Sequence, residues 1–167
     1  SEERYRDLFE NAADLIQSVD PMGRFLFVNN AWKEALGYSD AEIAGLTLDD
    51  VVHPDHRAAF KERHARVMAG EEVERIRTVF VGKQGRDIQV EGTTNLRSQD
   101  GRPMFTRSIF TDMTHVHAAR EQVQQHEAKL RALFESSEHM FWTVDPAIKI
   151  TSYNRGYGDM IERLHGK

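Results

Sequence analysis

Residues 27–45 read FVNNAWKEALGYSDAEIAG, and this stretch decides the fold. Asn29 stands at the N-cap position of a first short helix, and Gly37 supplies the C-terminal stop of that helix. Ser39 and Glu42 have the spacing of a capping box, which opens a second short helix. The stretch therefore predicts the end of a strand followed at once by two small helices.

Strand patterns lie on both sides of this stretch. The predicted elements in chain order are a short amphipathic helix over residues 2–10, a strand over 15–19, its hairpin partner over 25–28, the two small helices, a longer helix over 54–68, and strands over 73–81, 86–96 and 104–110. Turns that contain glycine separate the last three strands, which are therefore antiparallel neighbours. This order predicts an α+β domain in which the helices lie across one face of a five-stranded antiparallel sheet.

An internal repeat sets the domain boundaries. Three separated blocks recur at an offset of 125 residues: Leu8-Phe9-Glu10 as Leu133-Phe134-Glu135, Val19-Asp20-Pro21 as Val144-Asp145-Pro146, and Asn29 as Asn154. We therefore divide the chain into a first domain over residues 1–114, a helical linker over 115–135, and the opening part of a second copy over 136–167. Because an isolated hairpin is marginal, we expect Phe141 and Trp142 in the second copy to be buried by packing against the linker or another chain.

Residues 1–114 resemble a PAS domain. The resemblance rests on an ordered series of segments: FVNNAW at 27–32, LGYSDAEIAG at 36–45, HPD at 53–55, KQGR at 83–86, DG at 100–101 and DMT at 112–114. It implies the PAS fold and a sensory module of a bacterial multidomain signalling protein, a sensor histidine kinase or a cyclic-dinucleotide enzyme. The alternative is a PAS module that binds no small molecule and serves as a dimerisation unit or spacer. The second copy resembles the same family from Phe134 to Tyr157.

The resemblance also implies a ligand pocket between the inner sheet face and the small helices. Its wall would consist of Ile16, Phe27, Trp32, Leu36, Ile43, Phe60, Val79, Ser108 and Phe110. Ordinary core packing accounts for each of these residues as well. The strand over 87–94 leaves two orientations open: periodicity turns Ile88, Val90 and Gly92 inward, whereas resemblance to flavin-binding members turns Gln89 and Glu91 inward.

The sequence does not identify a cofactor, but it argues against a flavin photoadduct and against haem. The chain has no cysteine, which excludes the flavin photoadduct of light-oxygen-voltage sensors. The position of the proximal histidine in haem-binding relatives falls on Ala59, with His56 and His64 displaced along the helix, which argues against haem. The histidine pairs His53 and His56, and His115 and His117, lack a third ligand, so no metal site is expected. No catalytic motif is present either, so we expect no enzyme activity.

The linker has the pattern of a coiled-coil seam. Val116, Val123 and Leu130 are spaced by seven residues, and so are Ala119, His126 and Leu133. The two series are three residues apart, as a and d positions of a heptad are, which predicts a coiled-coil homodimer. The other interpretation is a single amphipathic helix packed on its own domain. By the resemblance, Asp112 and Thr114 couple the domain to this helix, so that a rotation at Asp112 is passed on to an output domain.

Charge and hydropathy limit the partners. The net charge of −5 and a pI near 5.9 predict no attraction to nucleic acid. No apolar run reaches the roughly 20 residues that span a bilayer, and the N-terminus lacks a signal-peptide pattern. We therefore expect a cytoplasmic module without membrane contact in this fragment, whose partners are a second copy, a downstream output domain and a small-molecule ligand.

Overall fold

The computed structural model describes residues 1–166, which fall into two compact units. The first unit extends to His117 and the second begins at Ala118, inside a helix that both units share. The elements of the first unit are α1 (Glu2–Glu10), β1 (Leu15–Val19), β2 (Phe25–Val28), α2 (Asn30–Leu36), α3 (Asp40–Ile43), α4 (Leu48–Val51), a 3₁₀ turn (Pro54–His56), α5 (Arg57–Met68), β3 (Ile76–Val81), β4 (Asp87–Gln99), β5 (Arg102–Asp112) and the start of α6 (Thr114–Ser136).

The five strands of the first unit form one antiparallel sheet with the order β2-β1-β5-β4-β3. This is the α+β architecture that the sequence predicts, with a long helix after the last strand. β5 lies in the centre because it pairs with β1 on one side and with β4 on the other. The terminal strands of the domain therefore meet in the middle of the sheet, and the helix that leaves β5 starts there.

The core lies between one face of the sheet and the helices that connect β2 to β3. Its largest fully buried side chains are Trp32, Phe80, Phe110, Leu36 and Ile88. Phe80 and Phe110 pack edge to face with ring centroids 5.2 Å apart, and Phe60 of α5 lies 6.3 Å from Phe80. Aromatic pairs in such geometry add about 1 kcal/mol each beyond their burial. α5 is thus held on the sheet by an aromatic cluster.

Asn29 stabilises the start of α2 as the sequence predicts, and it also makes hydrogen bonds to α1 and β1. Its Oδ1 accepts from the backbone N–H of Trp32 at 3.2 Å and of Ile16 at 3.0 Å. Its Nδ2 donates to the carbonyl oxygens of Phe9 at 3.1 Å and Asp14 at 2.9 Å. Asn29 is fully buried, so one amide joins α1, β1 and α2.

Several predicted elements need correction: the strand expected over 73–81 begins only at Ile76, and the two strands after it extend to Gln99 and Asp112. The helix expected over 54–68 begins as the 3₁₀ turn Pro54–His56 and becomes α-helical only at Arg57. The sequence interpretation also missed α4, although its capping box is present in the sequence. Thr47 N and Oγ1 both donate to Asp50 Oδ2 at 2.8 Å, and this pair opens a single helical turn. A turn this short carries no periodic apolar pattern, so only its cap marks it.

The second unit consists of the rest of α6, the hairpin β6 (Trp142–Val144) and β7 (Ile150–Tyr153), and α7 (Arg155–His165). Its central residue is Asn154, which is buried like Asn29. Asn154 Oδ1 accepts from the N–H of Phe141 and Tyr157, and Nδ2 donates to the carbonyls of Phe134 and His139. Each of these partners lies 125 residues after the corresponding partner of Asn29.

The turn of this hairpin repeats the first one as well. Asp20 Oδ1 accepts from the N–H of Met22 and Arg24, and Asp145 Oδ1 accepts from the N–H of Ala147 and Lys149, all at 2.9 Å. Gly23 has a φ of 84°, and Ile148 holds the equivalent position at 63°, where a β-branched residue is strained. The same hydrogen-bonded turn thus forms from a less suitable residue.

Within the single chain, Phe141 and Trp142 remain about half exposed, and their burial by another chain stays a prediction. They are 46% and 53% exposed, and Phe141 stacks on Phe134 at 5.9 Å and lies 6.4 Å from the ring of His139. The reason is that β6 and β7 form a two-stranded sheet, which leaves both of its faces without a covering layer of helices or further strands.

Candidate functional site

Six residues of the predicted pocket wall lie together in the core of the first unit. They are Trp32, Leu36, Ile43, Phe60, Ser108 and Phe110, all less than 9% exposed. Trp32 Nε1 donates to Gln17 Oε1 at 3.0 Å, so the indole is oriented by a side chain of β1. The inner face of the sheet and the helices α2, α3 and α5 therefore meet where the resemblance places the pocket.

Phe27, Ile16 and Val79 do not lie there. Phe27 is 67% exposed on the opposite face of the sheet. The cause is a bulge in which Val19 pairs with Phe25 and Ser18 with Phe27, so that Leu26 is the extra residue and the alternation shifts by one. Ile16 and Val79 alternate with the inward residues of β1 and β3, and are therefore turned away from the core as well.

The core encloses a small polar cavity, here called the inner cavity, with a volume of about 10 Å³. Its wall consists of Gln17, Val19, Leu48, Phe60, His64, Val67, Ile76, Thr94, Thr106 and Ser108. A space of this size holds about one water molecule. Flavin or haem would therefore need a large displacement of the aromatic cluster.

Sequence reasoning missed four polar residues of this wall. Gln17, Thr94, Thr106 and His64 line the inner cavity, and Gln17 and Thr106 are each 1% exposed. Thr94 Oγ1 and Ser108 Oγ lie 2.9 Å apart, in a hydrogen bond between β4 and β5. The sequence does indicate the inward side of three of these residues. Gln17, Thr94 and Thr106 stand at positions of β1, β4 and β5 that alternate with the outward side chains.

β4 turns its apolar side chains toward the core. The structure thus decides between the two orientations of this strand that the sequence left open. Ile88 and Val90 are 0% and 2% exposed and belong to the core cluster. Glu91 lies on the other face, where its Oε1 pairs with Arg75 Nε at 2.7 Å. Periodicity therefore predicts the orientation of this strand correctly, because a strand buried on one face alternates strictly.

A second depression, here called the outer groove, opens to solvent beside the inner cavity. It has a volume of about 430 Å³ and is lined by Pro21, Met22, Gly23, Thr47, Leu48, Asp49, Lys61, His64, Ala65 and Met68. His64 and Leu48 line both spaces. His64 Nε2 lies 3.2 Å from the carbonyl oxygen of Asp20, and burial lowers the pKa of its imidazole, so that the ring is neutral at pH 7.

The end of β5 is tied to the start of α6 through β4. Asp112 Oδ1 accepts hydrogen bonds from Thr114 N at 2.9 Å and Thr114 Oγ1 at 2.6 Å. Gln89 N donates to Thr114 Oγ1 at 3.0 Å, and Gln89 O accepts from Met113 N at 2.7 Å. Both backbone groups of one β4 residue are thus bonded to Met113 and Thr114.

α6 exposes its apolar stripe along its length. No residue of Thr114–Ser136 is buried in the chain, and Val116, Val123, Leu130 and Leu133 are between 49% and 58% exposed. Ala119 and His126 complete the predicted seam, and both are exposed. The stripe is therefore available to a partner surface.

His53 and His56 lie beside each other at the start of the turn before α5. His53 and His56 stack edge to face at 5.9 Å, and His53 Nδ1 accepts from the N–H of Asp55. Within residues 1–166 no group of three or more potential metal ligands is found. Over the same residues, no helix has the length and hydropathy needed to cross a bilayer.

Comparisons with known proteins agree with this geometry. The PAS-fold family matches residues 3–118. Sensor histidine kinase TmoS of Ectopseudomonas mendocina is 27% identical over 132 residues, which are 78% of this chain but only 14% of that protein. A domain of a sensory box sensor histidine kinase/response regulator from Geobacter sulfurreducens is 29% identical, with a TM-score of 0.57 over 66% of this chain and 93% of that one. A PAS domain of a protein from Colwellia psychrerythraea reaches a TM-score of 0.62 at 15% identity, covering 68% of this chain and 98% of that one, which shows the fold alone.

Proposed function

The chain belongs to the PAS family, and from this premise we propose that it is the sensory and relay module of a cytoplasmic sensor histidine kinase or similar multidomain protein. PAS domains are sensory and not catalytic, so the enzymatic output lies in another part of the same polypeptide. The input is a small ligand or a protein partner of the first unit. The output is the orientation of α6.

The observation that carries this proposal is the attachment of α6 to β4. Gln89 bonds to Thr114 and Met113 through its N–H and carbonyl, and Asp112 holds Thr114 from the β5 side. A shift of β4 relative to β5 changes the hydrogen bonds from Gln89 and from Asp112 together, so it must rotate or displace the first turn of α6. Since a helix is stiff over 23 residues, the displacement reaches its far end.

The exposed stripe of α6 supports a homodimer. Its apolar residues recur with a seven-residue period, and none of them is buried within the chain. Two copies that pair along Val116, Ala119, Val123, His126, Leu130 and Leu133 would bury this stripe in a parallel coiled coil. His126 at a d position costs stability but restricts the register. Relay through such a dimer takes the form of a rotation of both helices.

The second unit is the opening part of a second PAS domain under this proposal, with the linker helix ending in it. The support is the hydrogen-bond pattern around Asn154 and Asp145, which repeats that of Asn29 and Asp20 at an offset of 125 residues. A tandem arrangement places α6 as the exit helix of one domain and the entry helix of the next.

A second candidate function is a PAS spacer that binds no small molecule. The small inner cavity favours it, because Trp32, Phe60 and Phe110 fill the space that a bulky cofactor would occupy. Absorbance at wavelengths longer than those of the protein itself, or a small molecule retained in native mass spectrometry, would argue against the spacer function.

The relay is tested by inserting residues in α6. Residues 1–167 are fused to the catalytic region of a histidine kinase, and autophosphorylation is measured for insertions of one to seven residues after Gln125. Each inserted residue rotates the following helix by about 100°, and seven restore the phase of the seam. We expect activity to vary with a seven-residue period. Activity that does not depend on insertion length would contradict the relay.

Two substitutions test the coupling point in the same fusion. Thr114→Val removes the hydroxyl between Asp112 and Gln89. We expect the difference in autophosphorylation between in-phase and out-of-phase insertions to become smaller. Gln99→Ala at the exposed end of β4 serves as the matched control and should leave this difference unchanged.

A further inference from the structure

A groove opens between α1 and the outer face of the sheet, which is the face opposite the core. It has a volume of about 490 Å³ and is here called the α1 groove. Its floor is one row of the sheet, because Ser18 of β1 pairs with Phe27 of β2 on one side and with Arg107 of β5 on the other. Its roof is the face of α1 that carries Glu2, Tyr5, Arg6, Phe9 and Glu10. The α1 groove is therefore separate from the pocket predicted between the inner face and the small helices.

α1 covers this row of the sheet without packing tightly on it. No residue of α1 is buried. The guanidinium of Arg107 lies 5.8 Å from the ring centroid of Tyr5, in a cation–π contact. Neighbouring strands are about 4.8 Å apart, so Phe27 and Arg107 stand about 10 Å apart on either side of the small Ser18. The row thus leaves room for a molecule between an aromatic ring and a cation.

Two charged side chains in the α1 groove have buried atoms without partners. Within residues 1–166, Arg107 Nε and Glu10 Oε2 are buried and make no hydrogen bond, so they are not bonded to each other either. Burying part of a charged group costs free energy unless that part is paired or hydrogen-bonded. The guanidinium is best satisfied by an anionic acceptor and the carboxylate by a cationic donor. One occupant that carries both would satisfy both atoms.

The second unit shows that the fold itself does not require an unpartnered carboxylate here. Glu135 lies 125 residues after Glu10, and its Oε2 accepts the backbone N–H of Arg155 at 3.0 Å. Phe27 likewise corresponds to Ser152, which offers no aromatic surface. The unpartnered carboxylate and the aromatic floor are therefore properties of the first unit and not of the repeat.

We propose that the α1 groove binds a small zwitterion with an apolar side chain, the class to which the apolar α-amino acids belong. The carboxylate of this ligand bonds to Arg107, its ammonium group bonds to Glu10, and its side chain packs on Phe27 and Tyr5. The site lies on the opposite face of the sheet from the predicted pocket, and it goes beyond the proposed relay.

The charges of the α1 groove select a zwitterion over an ion of one sign. Glu2 and Glu10 lie on the same face of α1 as Arg6, and Arg107 reaches the groove from β5, so that two acidic and two basic side chains line it. An anion pairs with Arg107 but leaves Glu10 unpaired, and a cation does the reverse. Each therefore leaves one partly buried charge without compensation. A molecule with both groups completes both pairs.

The aromatic surface of the α1 groove suits an apolar side chain. Phe27 is 67% exposed and Tyr5 is 54% exposed. An apolar side chain that lies against both rings removes their surface from water, and an aromatic one also gains from the ring geometry. The ligand then joins α1 to β5, which is the strand that leads into α6. Binding should therefore hold α1 on the sheet.

An NMR titration of the ¹⁵N-labelled chain over residues 1–167 tests the site with three probes that share a phenyl ring. L-Phenylalanine carries both charged groups, 3-phenylpropanoate lacks the ammonium group, and 2-phenylethylamine lacks the carboxylate. We expect L-phenylalanine to cause saturable shifts at the amides of α1, Ser18 and Arg107 but not of α5, and the other two probes to bind about tenfold more weakly. Equal binding of the three probes, no saturable shift with L-phenylalanine, or shifts in α5 in place of α1 overturns the inference.

Two variants assign the charged groups by comparison across the probes. Glu10→Gln should weaken L-phenylalanine binding about threefold to tenfold without weakening that of 3-phenylpropanoate, which has no ammonium group. Arg107→Gln should weaken L-phenylalanine similarly without weakening 2-phenylethylamine. Glu3→Gln, exposed on α1, and Arg102→Gln, exposed on β5, are the matched controls and should bind as the unmodified chain does. Full L-phenylalanine affinity in both test variants, or equal losses for all three probes, would overturn the proposal.

These results are independent of the relay test. The insertion series in α6 uses no ligand, so a periodic response there without L-phenylalanine binding would refute only the site in the α1 groove. L-Phenylalanine binding together with kinase activity that does not depend on insertion length would refute only the relay.

Discussion

Thr114 Oγ1 accepts a hydrogen bond from the backbone N–H of Gln89 at 3.0 Å, which ties the first residue of α6 to β4 across 25 positions of sequence. The same hydroxyl donates to Asp112 Oδ1 at 2.6 Å, so it has a partner on each side. A hydroxyl at residue 114 therefore joins two strands and a helix. The bond is short-ranged and directional, which makes it sensitive to small strand movements.

Thr114→Val should loosen the start of α6 without unfolding the core. The substitution keeps the shape of the side chain and removes both hydrogen bonds of the hydroxyl, at a cost of about 1–2 kcal/mol. Hydrogen exchange should become faster at the amide of Gln89 and in the first turn of α6. Thr114→Ser, which retains the hydroxyl, is the control. Unchanged protection of Gln89 N–H in the valine variant would disprove the coupling role of this bond.

Asn29→Ala should be one of the most destabilising single substitutions in the first unit. It removes a fully buried amide and leaves donors and acceptors of α1, β1 and α2 without partners, at a cost of about 3 kcal/mol or more. Asn30→Ala, at the exposed neighbouring position, is the matched control and should change stability little. Denaturant unfolding measures both, and similar midpoints for the two variants would contradict this account of Asn29.

Gly92→Ala should destabilise the sheet strongly, because β4 and β5 approach each other closely at this point. A Cβ on Gly92 would lie 1.9 Å from the carbonyl oxygen of Ile109, which belongs to the backbone and cannot move alone. The expected cost is about 3 kcal/mol or more. Gly45→Ala is the control, since its nearest neighbour is at an ordinary 3.8 Å. Thermal unfolding of the two variants side by side tests the prediction, which fails if they melt together.

Glu42 should titrate far below an ordinary carboxyl group. A hydrogen bond from the Lys83 side chain and further ones from Ser39 lower its pKa from 4.5 to about 2. Because the folded-state pKa is depressed, the stabilising contribution is complete above the unfolded value of 4.5 and is lost as pH falls toward 2.

Carboxyl ¹³C NMR measures this titration directly. Lys83→Met should raise the pKa of Glu42 toward its ordinary value, since it removes the largest cause of the shift. Lys33→Met removes a lysine that pairs with Asp40 instead, at 3.0 Å, and should leave Glu42 as it is. An ordinary pKa for Glu42 in the unmodified chain would show that the Lys83 contact does not persist in solution.

Much of the architecture is predictable from the sequence. The order of strands and helices, the N-cap at Asn29, the inward side of β4 and the long helix after residue 113 all follow from local patterns. Each of these patterns expresses a preference of a residue for its immediate neighbours: a cap satisfies nearby N–H groups, and alternation places one strand face in the core. The repeat at an offset of 125 residues is likewise visible in the letters alone.

The composition of the candidate site was less predictable. The resemblance places Phe27 in the pocket wall, but the bulge at Leu26 turns it to the opposite face. Gln17 is not among the predicted wall residues, yet it is 1% exposed and accepts a hydrogen bond from Trp32. Composition alone gives no indication of either outcome.

By itself, the sequence determined the fold family, most of the elements and the seven-residue spacing of apolar residues along α6, because caps, turns and periodic patterns act between residues close together in the chain. Only the tertiary structure decided which side chains face the inner cavity and that His64 separates it from the outer groove. These features arise where β1, β4, β5 and α5 come together from distant parts of the chain. A side chain's burial there depends on strand register and on a single bulge, since a shift of one residue exchanges the two faces of a strand.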